Sequence, residues 1–227
     1  MVVKMPKPFK DIDLKKRAEI PQAVITRLPR YYRYLRQLVD KGEYRISSLA
    51  LSRLMGTTAS QIRQDLNYFG GFGQQGYGYN TKNLCECIAD ILGNNNCYNT
   101  VIIGAGNLGK AIATSSSFAH TGMFLKCLFD VKPELVGQKV NGCEIKHLDE
   151  MEEFWASNRV DVAILTLPSD AAVKVAHKLA ELGIMGIWNF SEAELGLDPE
   201  KVAVRDVHLV DSFMTLCFDI KTIENNI

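Results

Sequence analysis

The stretch VIIGAGNLG, residues 101–109, decides the fold of this chain. An apolar run ends at the spacing Gly-x-Gly-x-x-Gly, and a helical pattern follows it. This order of strand, tight turn and helix binds the pyrophosphate of a dinucleotide. In it Gly104 turns the chain, Gly106 lets the backbone approach a phosphate without a Cβ, and Gly109 lets the helix pack against the strand. The motif therefore predicts a parallel, doubly wound α/β domain of the Rossmann type.

The sequence after the glycine turn continues as alternating strands and helices. A second strand, residues 123–129, ends in Asp130, 21 residues beyond the last glycine of the motif. An acidic side chain at this distance accepts hydrogen bonds from the adenosine ribose and repels a 2′-phosphate, which favours NAD(H) over NADP(H). Further strands are predicted at residues 161–167 and 184–190, and between them a helix at residues 169–182 that Ser169 caps.

Ligands of open parallel sheets bind beyond the carboxyl ends of the strands. The candidates for dinucleotide contact are Gly104, Ala105, Gly106, Asn107, Leu108, Gly109, Asp130, Val131, Lys132, Thr166, Leu167, Pro168 and Asn189. At Thr166, Pro168 and Asn189 the ordinary turn chemistry of a strand end explains the residue types equally well.

The glycine turn begins only after a hundred residues, so another module precedes it. The whole chain has 26 Lys and Arg and 26 Asp and Glu, a net charge of zero. Residues 1–80 hold 14 basic and 6 acidic residues, a balance of +8, whereas residues 81–227 hold 12 and 20, a balance of −8. This division indicates a polyanion-binding module at the front. The alternative is chance segregation of charge on solvated faces.

Three helices are predicted in the first eighty residues. The first covers residues 21–39 and is kinked or restarted at Pro29. The second is capped by Ser47 or Ser48 and ends at Gly56. Its apolar positions are Leu49, Leu51 and Leu54.

The third helix follows after a tight turn and begins with a capping box at Thr58 and Gln61. Its inward positions are Ile62, Leu66 and Phe69. Its outward positions are Ser60, Gln61, Arg63, Gln64 and Asn67. Arg bonds bidentately to guanine and Gln or Asn to adenine, so this face suits base edges. Two short helices of this kind are typical of a helix-turn-helix, although an isolated helix with this pattern is more often just solvated.

The segment GGFGQQGYGY, residues 70–79, favours the helix-turn-helix because alternating glycines and aromatics indicate a β-hairpin wing. The alternative is a flexible linker, which would favour Ser and charge. The candidates for DNA contact are Arg30, Arg45, Ser60, Gln61, Arg63, Gln64, Asn67, Gly73, Gln74 and Tyr77. The expected domains are a winged helix at 1–80, a connecting helix and linker at 81–96, an NAD(H)-binding Rossmann domain at 97–210, and a terminal dimerisation helix at 211–227. The connecting helix is predicted at about residues 81–92, with Gly93 at its end.

The tail at residues 211–220 predicts a helix that is apolar nearly all round. Such a helix must be buried by neighbours or by a partner chain. A partner chain is favoured, because helix-turn-helix proteins usually bind two half-sites as symmetric dimers.

The sequence offers no catalytic residues and no metal site. There is no Tyr-x-x-x-Lys pair, the four histidines are isolated, and the six cysteines lack metal-ligand spacing. They are read as reduced thiols of a cytoplasmic protein with neither a membrane span nor a signal peptide. A dinucleotide domain without acid, base or substrate domain indicates a reader of the cofactor. The alternative is a minimal NAD-dependent oxidoreductase with a basic N-terminal module.

The chain resembles the Rex family of redox-sensing transcriptional repressors over nearly its whole length. The matching motifs are IPQAV (20–24), LPRYYRYL (28–35), SQIRQDL (60–66), YFG (68–70), GFG (71–73), GYGY (76–79), GAGNLG (104–109), FD (129–130), TLP (166–168) and NF (189–190). The resemblance implies a homodimer that binds a palindromic operator when NADH is scarce. It further implies that NADH swings the winged helices apart and releases the DNA.

The resemblance also implies that the terminal helix is domain-swapped into the partner near the nicotinamides. The residues assigned to this side are Ser115, Phe213 and Phe218. The chain departs from the family at Ser115, where an aromatic residue that helps to read the nicotinamide is usual. Gln64, Gln74 and Gln75 stand where basic residues are common, which predicts a shallower salt dependence of DNA binding.

Overall fold

A computed structural model describes residues 20–69, 73–74, 78–116 and 121–224 of the chain. The chain divides into two compact units, residues 1–95 and 96–227. The expected fold class, a helix-turn-helix domain followed by a parallel Rossmann-like domain, is confirmed.

The first unit is a helix-turn-helix followed by a small antiparallel sheet. Its described elements are α1 (Gln22–Asp40), β1 (Arg45–Ile46), α2 (Ser48–Met55), α3 (Ala59–Asn67), β2 (Gly73–Gln74), β3 (Gly78–Asn80) and α4 (Thr81–Leu92). Strand β3 lies between β1 and β2 and is antiparallel to both. The paired strands β2 and β3 are the predicted wing. A glycine is required at Gly78, where φ is +71° and a Cβ would lie 2.6 Å from the carbonyl oxygen of Ile46.

Helix α1 continues through Pro29 without a break, so the predicted restart does not occur. Its buried face is a stripe at helical spacing, Val24, Leu28, Tyr31, Leu35 and Leu38. A proline removes one backbone hydrogen bond and crowds the preceding turn. Because most helical stability comes from packing an apolar face, the buried stripe is enough to maintain the helix across this position.

Helix α2 has the predicted ends but a different apolar face. The Oγ of Ser47 accepts a hydrogen bond from the backbone N–H of Ala50 at 3.0 Å, and Gly56 ends the helix in the left-handed region. Leu51 is fully buried as predicted, but Leu49 and Leu54 are 54% and 48% exposed. Leu51 shares the buried face with Ser52 and Met55, which lie one and four positions farther along. At 100° per residue, Leu49 and Leu54 fall on its two flanks.

Helix α4 has the predicted bounds and belongs to the core of the first unit. The side chain of Asn80 caps its start, and Gly93 ends it. Its residues Leu84 and Ile88 are fully buried in the same cluster as residues of α1 and α3. The structure therefore places this helix inside the first unit, whereas the sequence suggested a connector. Its 3.6-residue apolar period does not reveal which neighbour it packs against.

The second unit is built on a seven-stranded sheet. Its described elements are β4 (Tyr98–Ile103), α5 (Asn107–Thr114), β5 (Met123–Asp130), β6 (Lys139–Val140), β7 (Cys143–His147), a 3₁₀ turn (Leu148–Glu150), α6 (Met151–Ser157), β8 (Val162–Leu165), α7 (Ser169–Glu181), β9 (Gly186–Asn189), β10 (Ala203–Asp206) and α8 (Leu209–Glu224). The strand order is β10-β9-β8-β4-β5-β7-β6, and every pair is parallel except β6 with β7. Strands β5 and β7 lie on one side of β4, whereas the later strands β8, β9 and β10 lie on its other side. Open sheets of this kind bind ligands at the point where the strand order changes side, here between β4 and β8.

Two details of the second unit differ from the sequence prediction. Ser169 is the first residue of α7 and provides no side-chain cap, because the N-cap position belongs to Pro168. Strand β10 pairs with β9 as an outer strand of the sheet, at a place where the sequence pattern predicts no strand. Its four residues are mostly exposed, so they carry no strong apolar period.

Helix α8 forms where the apolar tail predicts a helix, but no residue of it is buried within the described structure. Large apolar side chains are exposed along its whole length. They are Leu209, Val210, Phe213, Met214, Leu216, Phe218, Ile220 and Ile223. Such a surface is unusual for a protein that remains a single chain.

Candidate dinucleotide site and nucleic-acid interface

The glycine loop between β4 and α5 packs tightly on one side and is open on the other. Gly104 has φ +105°, and a Cβ there would lie 2.7 Å from the carbonyl oxygen of Thr166. A Cβ on Gly109 would lie 2.0 Å from the carbonyl oxygen of Gly104. Both positions therefore require glycine for packing, as the sequence predicts.

Gly106 is the open position of the loop. Its φ is −72°, which any residue adopts, and no heavy atom lies within 4 Å of where a Cβ would stand. Gly106 is also the N-cap of α5, and no side chain caps this end of the helix. The first N–H groups of a helix have no partner within it and carry partial positive charge. The loop thus fits an anionic group, such as a pyrophosphate, against its backbone.

Asp130 joins the end of β5 to the glycine loop. Its Oδ2 accepts a hydrogen bond from the N–H of Ala105 at 2.7 Å, and its Oδ1 accepts one from the N–H of Lys132 at 2.9 Å. Each carboxylate oxygen can accept a second bond, so a ribose hydroxyl still has an acceptor there. Val131 and Lys132 follow with exposed side chains. The carboxylate of Asp130 therefore holds the glycine loop in place and also offers an acceptor to a ribose hydroxyl.

Thr166 supports the glycine loop from the neighbouring strand end. Its Oγ1 donates to the carbonyl oxygen of Gly104 at 2.7 Å and lies 3.2 Å from that of Ile103. The hydroxyl proton is thus used inside the protein. Leu167 is half-buried, and Pro168 is exposed at the start of α7. The structure brings these residues to the same sheet edge as the glycine loop, as the parallel strands β4 and β8 require.

All four hydrogen-bonding positions of the Asn189 amide are occupied within the protein. It is fully buried, and its Nδ2 donates to the carbonyl of Ala193 and to Oδ1 of Asp206 at 3.0 and 2.7 Å. Its Oδ1 accepts from the N–H and the hydroxyl of Ser191 at 3.0 and 2.6 Å. We therefore assign Asn189 to holding the chain after β9. Of its partners, Ser191 lies two residues further along the chain, whereas Asp206 was not foreseen because only the folded chain brings it close.

The recognition helix of the helix-turn-helix, α3, presents a polar face. Its exposed side chains on that face are Ser60, Arg63, Gln64 and Asn67. The Oγ1 of Thr58 accepts a hydrogen bond from the N–H of Gln61 at 3.1 Å, which is half of the predicted capping box. The second half is absent, because the amide of Gln61 donates to Asp65 instead. Arg63 reaches the start of α2, where its Nη1 donates to the hydroxyl of Ser48 at 3.1 Å.

The other predicted DNA contacts have different surroundings. Arg30 donates through Nη2 to the carbonyl of Met55, the last residue of α2. This bond satisfies a carbonyl at a helix end and uses one of the five guanidinium donors of the exposed Arg30 side chain, so the predicted DNA contact stays a prediction. Arg45 is exposed in β1. Gly73 and Gln74 form β2 of the wing, and the predicted contact at residue Tyr77 lies outside the described residues.

A buried carboxylate behind the recognition helix was missed by the sequence analysis. Asp65 is 1% exposed and accepts hydrogen bonds from Arg27, Tyr31 and Gln61. Burial alone would raise the pKa of Asp65, but these three donors outweigh burial and hold the pKa below its usual range. Burial and the bond to Asp65 raise the pKa of Tyr31. An acid at this position of a helical pattern looks like a solvated residue, so no signal in the sequence marks it.

The nicotinamide-side and dimer candidates lie at two places in the second unit. Ser115 follows α5 and is half-buried, and its N–H donates to the carbonyl of Ile112 at 3.2 Å. Phe213 and Phe218 are 64% and 70% exposed on α8.

The described residues contain neither a membrane-spanning helix nor a cluster of metal ligands. No helix there has the length and apolar character to cross a membrane. No group of three or more His, Cys, Asp or Glu side chains in the same ranges could hold a metal ion.

Both units match known protein families. Residues 95–193 match a family model described as "CoA binding domain", and residues 19–67 match one described as "Putative DNA-binding protein N-terminus". These two regions coincide with the Rossmann-like sheet and the helix-turn-helix.

Curated proteins similar to this chain carry one shared name. The "Redox-sensing transcriptional repressor Rex" of Thermoanaerobacter pseudethanolicus is 49% identical over 205 residues, which cover 90% of this chain and 91% of that protein. The protein of the same name from Clostridium botulinum is 49% identical over 210 residues, which cover 92% of this chain and all of that protein.

Solved structures agree with these relatives. RSP, described as a Rex-family repressor, has been crystallised with β-NAD⁺ and operator DNA, and this complex matches with a TM-score of 0.84 and 49% identity. It covers 90% of this chain and 94% of the RSP chain. The complex of RSP with β-NADH matches with a TM-score of 0.83 and 46% identity, over 90% and 96% of the two chains.

Proposed function

This chain belongs to the Rex family of redox-sensing transcriptional repressors, and on that premise we propose that it binds operator DNA through its first unit and NADH or NAD⁺ through its second. NADH binding releases the DNA, so that repression follows the NADH/NAD⁺ ratio. One observation carries the proposal: the exposed face of α3 and the open glycine loop at Gly106 occur in one chain. RSP, its structural relative, has been crystallised in complex with operator DNA and NAD⁺ and in complex with NADH.

The dinucleotide binds across the carboxyl edge of the sheet in the second unit. Its pyrophosphate lies against the backbone from Gly106 to Leu108, where the start of α5 is open. The adenosine ribose lies toward Asp130 and the two residues after it. The cofactor supplies the redox signal as a charge on its nicotinamide ring. Because the two redox forms differ chiefly in the charge and pucker of this ring, the contacts that distinguish them lie at the nicotinamide end rather than at Asp130.

Operator DNA binds to the recognition helix and the wing of the first unit. The outward side chains of α3, Ser60, Arg63, Gln64 and Asn67, enter the major groove. The wing strands β2 and β3, with Arg45 on the neighbouring strand, lie along the sugar-phosphate backbone.

A second copy of this chain covers the apolar surface of α8. Phe213 and Phe218 are exposed within one chain, and a symmetric dimer would bury both pairs together. Exchange of α8 between the two copies would bring it toward the dinucleotide of the partner, on the side of Ser115. The dimer then presents two recognition helices to a palindromic operator.

The chain is a regulator, not an enzyme, since its relatives carry the name of a transcriptional repressor. The alternative of a minimal NAD-dependent oxidoreductase is therefore set aside. We further place the protein in the cytoplasm, where its operator DNA lies. Its cysteines are free thiols in the described structure, which suits a reducing compartment.

The proposal is tested by DNA binding in the presence of each redox form. The operator is first selected from a random pool of duplex DNA with this protein, and its affinity is then measured by gel shift. NADH is expected to release the duplex, whereas NAD⁺ is not. Absence of DNA binding, or binding that NADH does not alter, would contradict the proposed function.

A further inference from the structure

We propose that Gln61 reads one operator base through an amide whose direction is set by the buried carboxylate of Asp65. In this arrangement Gln61 selects a base that carries an exocyclic amine in the major groove, adenine or cytosine. Arg27 and Tyr31 act with Asp65 as positioning residues. The inference rests on the proposed function and adds to it a specificity determinant and the residues that orient it.

Gln61 lies in the first turn of the recognition helix. In a helix-turn-helix the residues near the start of this helix meet the base edges. The backbone of Gln61 is held by the cap, since its N–H donates to Oγ1 of Thr58 at 3.1 Å. Its side chain is only partly buried. The residue is thus fixed at its backbone and accessible at its tip.

The carboxylate of Asp65 is saturated with donors. Its Oδ2 accepts from Nε of Arg27 at 2.7 Å and from the hydroxyl of Tyr31 at 2.8 Å. Its Oδ1 accepts from Nη2 of Arg27 at 2.7 Å and from Nε2 of Gln61 at 2.8 Å. A carboxylate has about four acceptor sites. All four are therefore used, and the ionised group cannot itself donate.

This saturation determines which end of the Gln61 amide faces inward. If the amide turned by 180°, its Oε1 would meet Oδ1 of Asp65, and two acceptors would oppose each other in a buried place. Nε2 therefore faces Asp65, and Oε1 faces away from it. Because Arg27 and Tyr31 hold the carboxylate from α1, the direction of the amide depends on a contact between two helices.

The side chain of Gln61 lines an open cleft between the start of α1 and the recognition helix. The cleft has a volume of about 580 Å³, and its lining includes Ala23, Val24 and Arg27 of α1 and Asp65 as well as Gln64, Asn67 and Tyr68. No described residue donates to Oε1 of Gln61, so this acceptor is available to DNA. Adenine and cytosine each present an amine to the major groove, whereas guanine and thymine present carbonyl oxygens. A freely rotating glutamine could turn either its oxygen or its NH₂ group outward, but the bond of Nε2 to Asp65 leaves Oε1 as the outward group, which favours the bases that carry an amine.

The test is a base-substitution panel on the selected operator. Each position of the half-site is replaced by the other three bases, and affinities are measured by gel shift for the parent protein and for Gln61→Ala. At one position per half-site the parent is expected to prefer adenine or cytosine by about tenfold or more. Gln61→Ala should reduce this preference to about twofold and leave the other positions unchanged. The base that gives the parent protein the higher affinity at this position shows whether Gln61 reads adenine or cytosine.

Gln64→Ala is the matched control, because it removes a neighbouring exposed amide that has no bond to Asp65. It should alter a different position and keep the preference that Gln61 supplies. Asp65→Asn tests the positioning role, since its NH₂ group can donate to Oε1 of Gln61 and turn the amide over. The preference at the same position should then move toward guanine or thymine, which a merely structural defect would not produce. Should Asp65→Asn fail to fold, the Gln61→Ala panel decides alone.

The outcomes separate this inference from the proposed function. If the parent protein binds no duplex, the proposed function is contradicted. If the parent binds in an NADH-dependent way but Gln61→Ala weakens every duplex by the same factor, or none, Gln61 is not a specificity determinant. The same conclusion follows if the parent prefers guanine or thymine at the position that Gln61→Ala alters.

Discussion

Gly106 and Gly109 stand three residues apart in one loop, but they are glycine for different physical reasons. At Gly109 the neighbouring backbone leaves no room for a Cβ, since the carbonyl oxygen of Gly104 would lie 2.0 Å away. At Gly106 there is room, and the φ of −72° suits any residue. Among the described residues nothing requires glycine at Gly106, so the proposed site predicts that the requirement comes from a ligand that approaches the backbone there.

The variant Gly106→Ala is therefore expected to separate folding from ligand binding. Its melting temperature should stay within about 2 °C of the parent, because surface changes of this kind usually alter stability by less than about 0.5 kcal/mol. Its affinity for NADH should fall at least tenfold, because the new Cβ stands where the phosphate approaches. Calorimetry gives the first quantity, and titration of NADH fluorescence gives the second.

Gly109→Ala is the matched control for this prediction. It adds the same methyl group to the same loop but places it against backbone, so it should lower stability by several kcal/mol. Equal NADH affinity for the parent and Gly106→Ala would remove this position from the dinucleotide site.

Arg63 is held by Ser48 at the start of α2, and its remaining guanidinium donors are directed to solvent on the recognition face. Arg63→Ala is expected to relax operator specificity by about 1–3 kcal/mol at one base pair, as for a lost bidentate contact with guanine. Gel shifts with single-base operator variants measure this loss. Arg53→Ala removes the same charge from α2 and should not change the preference for any base. Unchanged discrimination in Arg63→Ala would contradict the role of this side chain.

The Asp65 cluster gives a pH dependence whose sign follows from the lowered pKa of the acid. A carboxyl whose pKa is lower in the folded state adds stability above its unfolded pKa of about 3.9, and this is lost as pH falls through the folded pKa. Arg27→Met should lower the free energy of unfolding by about 2 kcal/mol at pH 7. This is less than the roughly 3–5 kcal/mol lost when a fully buried ion pair is broken, because the Arg27 side chain is 38% exposed. Urea unfolding should show this deficit shrink below about pH 4. A constant deficit from pH 7 to pH 3 would exclude the ion pair as its cause.

At the scale of elements, the short helices of the first unit depend on their ends and on the core. Helix α2 has eight residues and α3 has nine, which is shorter than isolated helices need to form in water. Side-chain caps at Ser47 and Thr58 satisfy backbone donors, and Ile62 and Leu66 fasten the recognition helix to the core. The position of the base-reading face is therefore a consequence of packing.

Helix α8 differs from these short helices. Its sequence favours a helix, but none of its residues is buried within the described structure. The double variant Phe213→Ser with Phe218→Ser is expected to produce a monomer, because each buried Phe side chain contributes about 2 kcal/mol to association. Two copies lose four such side chains, so the dimer dissociation constant should rise at least a hundredfold. Sedimentation analysis measures it. Asp219→Asn, an exposed polar change on the same helix, should leave the dimer intact, and a dimeric double variant would refute this role of α8.

At the scale of the whole molecule, two sites on one chain must be coupled in both directions. If saturating NADH raises the dissociation constant of the operator by some factor, the operator must raise the two NADH dissociation constants of the proposed dimer by factors whose product equals it. We expect the factor for each NADH site to lie between about 5 and 150, the usual range for coupled sites. Titration of NADH fluorescence with and without the operator duplex, compared with gel shifts at rising NADH, gives both quantities. A scrambled duplex should have no effect, and a product of the two NADH factors that differs from the operator factor would show that NADH does not act through a shared equilibrium.

The sequence alone determined what depends on local spacing. The glycine loop, the winged helix-turn-helix and the bounds of α4 follow from periodicity, caps and glycine positions, because these act within a few residues of the chain. The charge division between the front and the rear of the chain could be read in the same way. The apolar tail was identified as a helix in need of a partner for the same reason.

Only the tertiary structure decided which side chains meet across the chain. It brought Asp206 to Asn189, the end of α2 to Arg30, and Arg27 and Tyr31 to Asp65. Each of these polar groups has a type that suits ligand binding, and each is used wholly or partly inside the protein. The physical reason is that a buried polar group must find its partners wherever the fold brings them, and these partners can lie anywhere in the sequence.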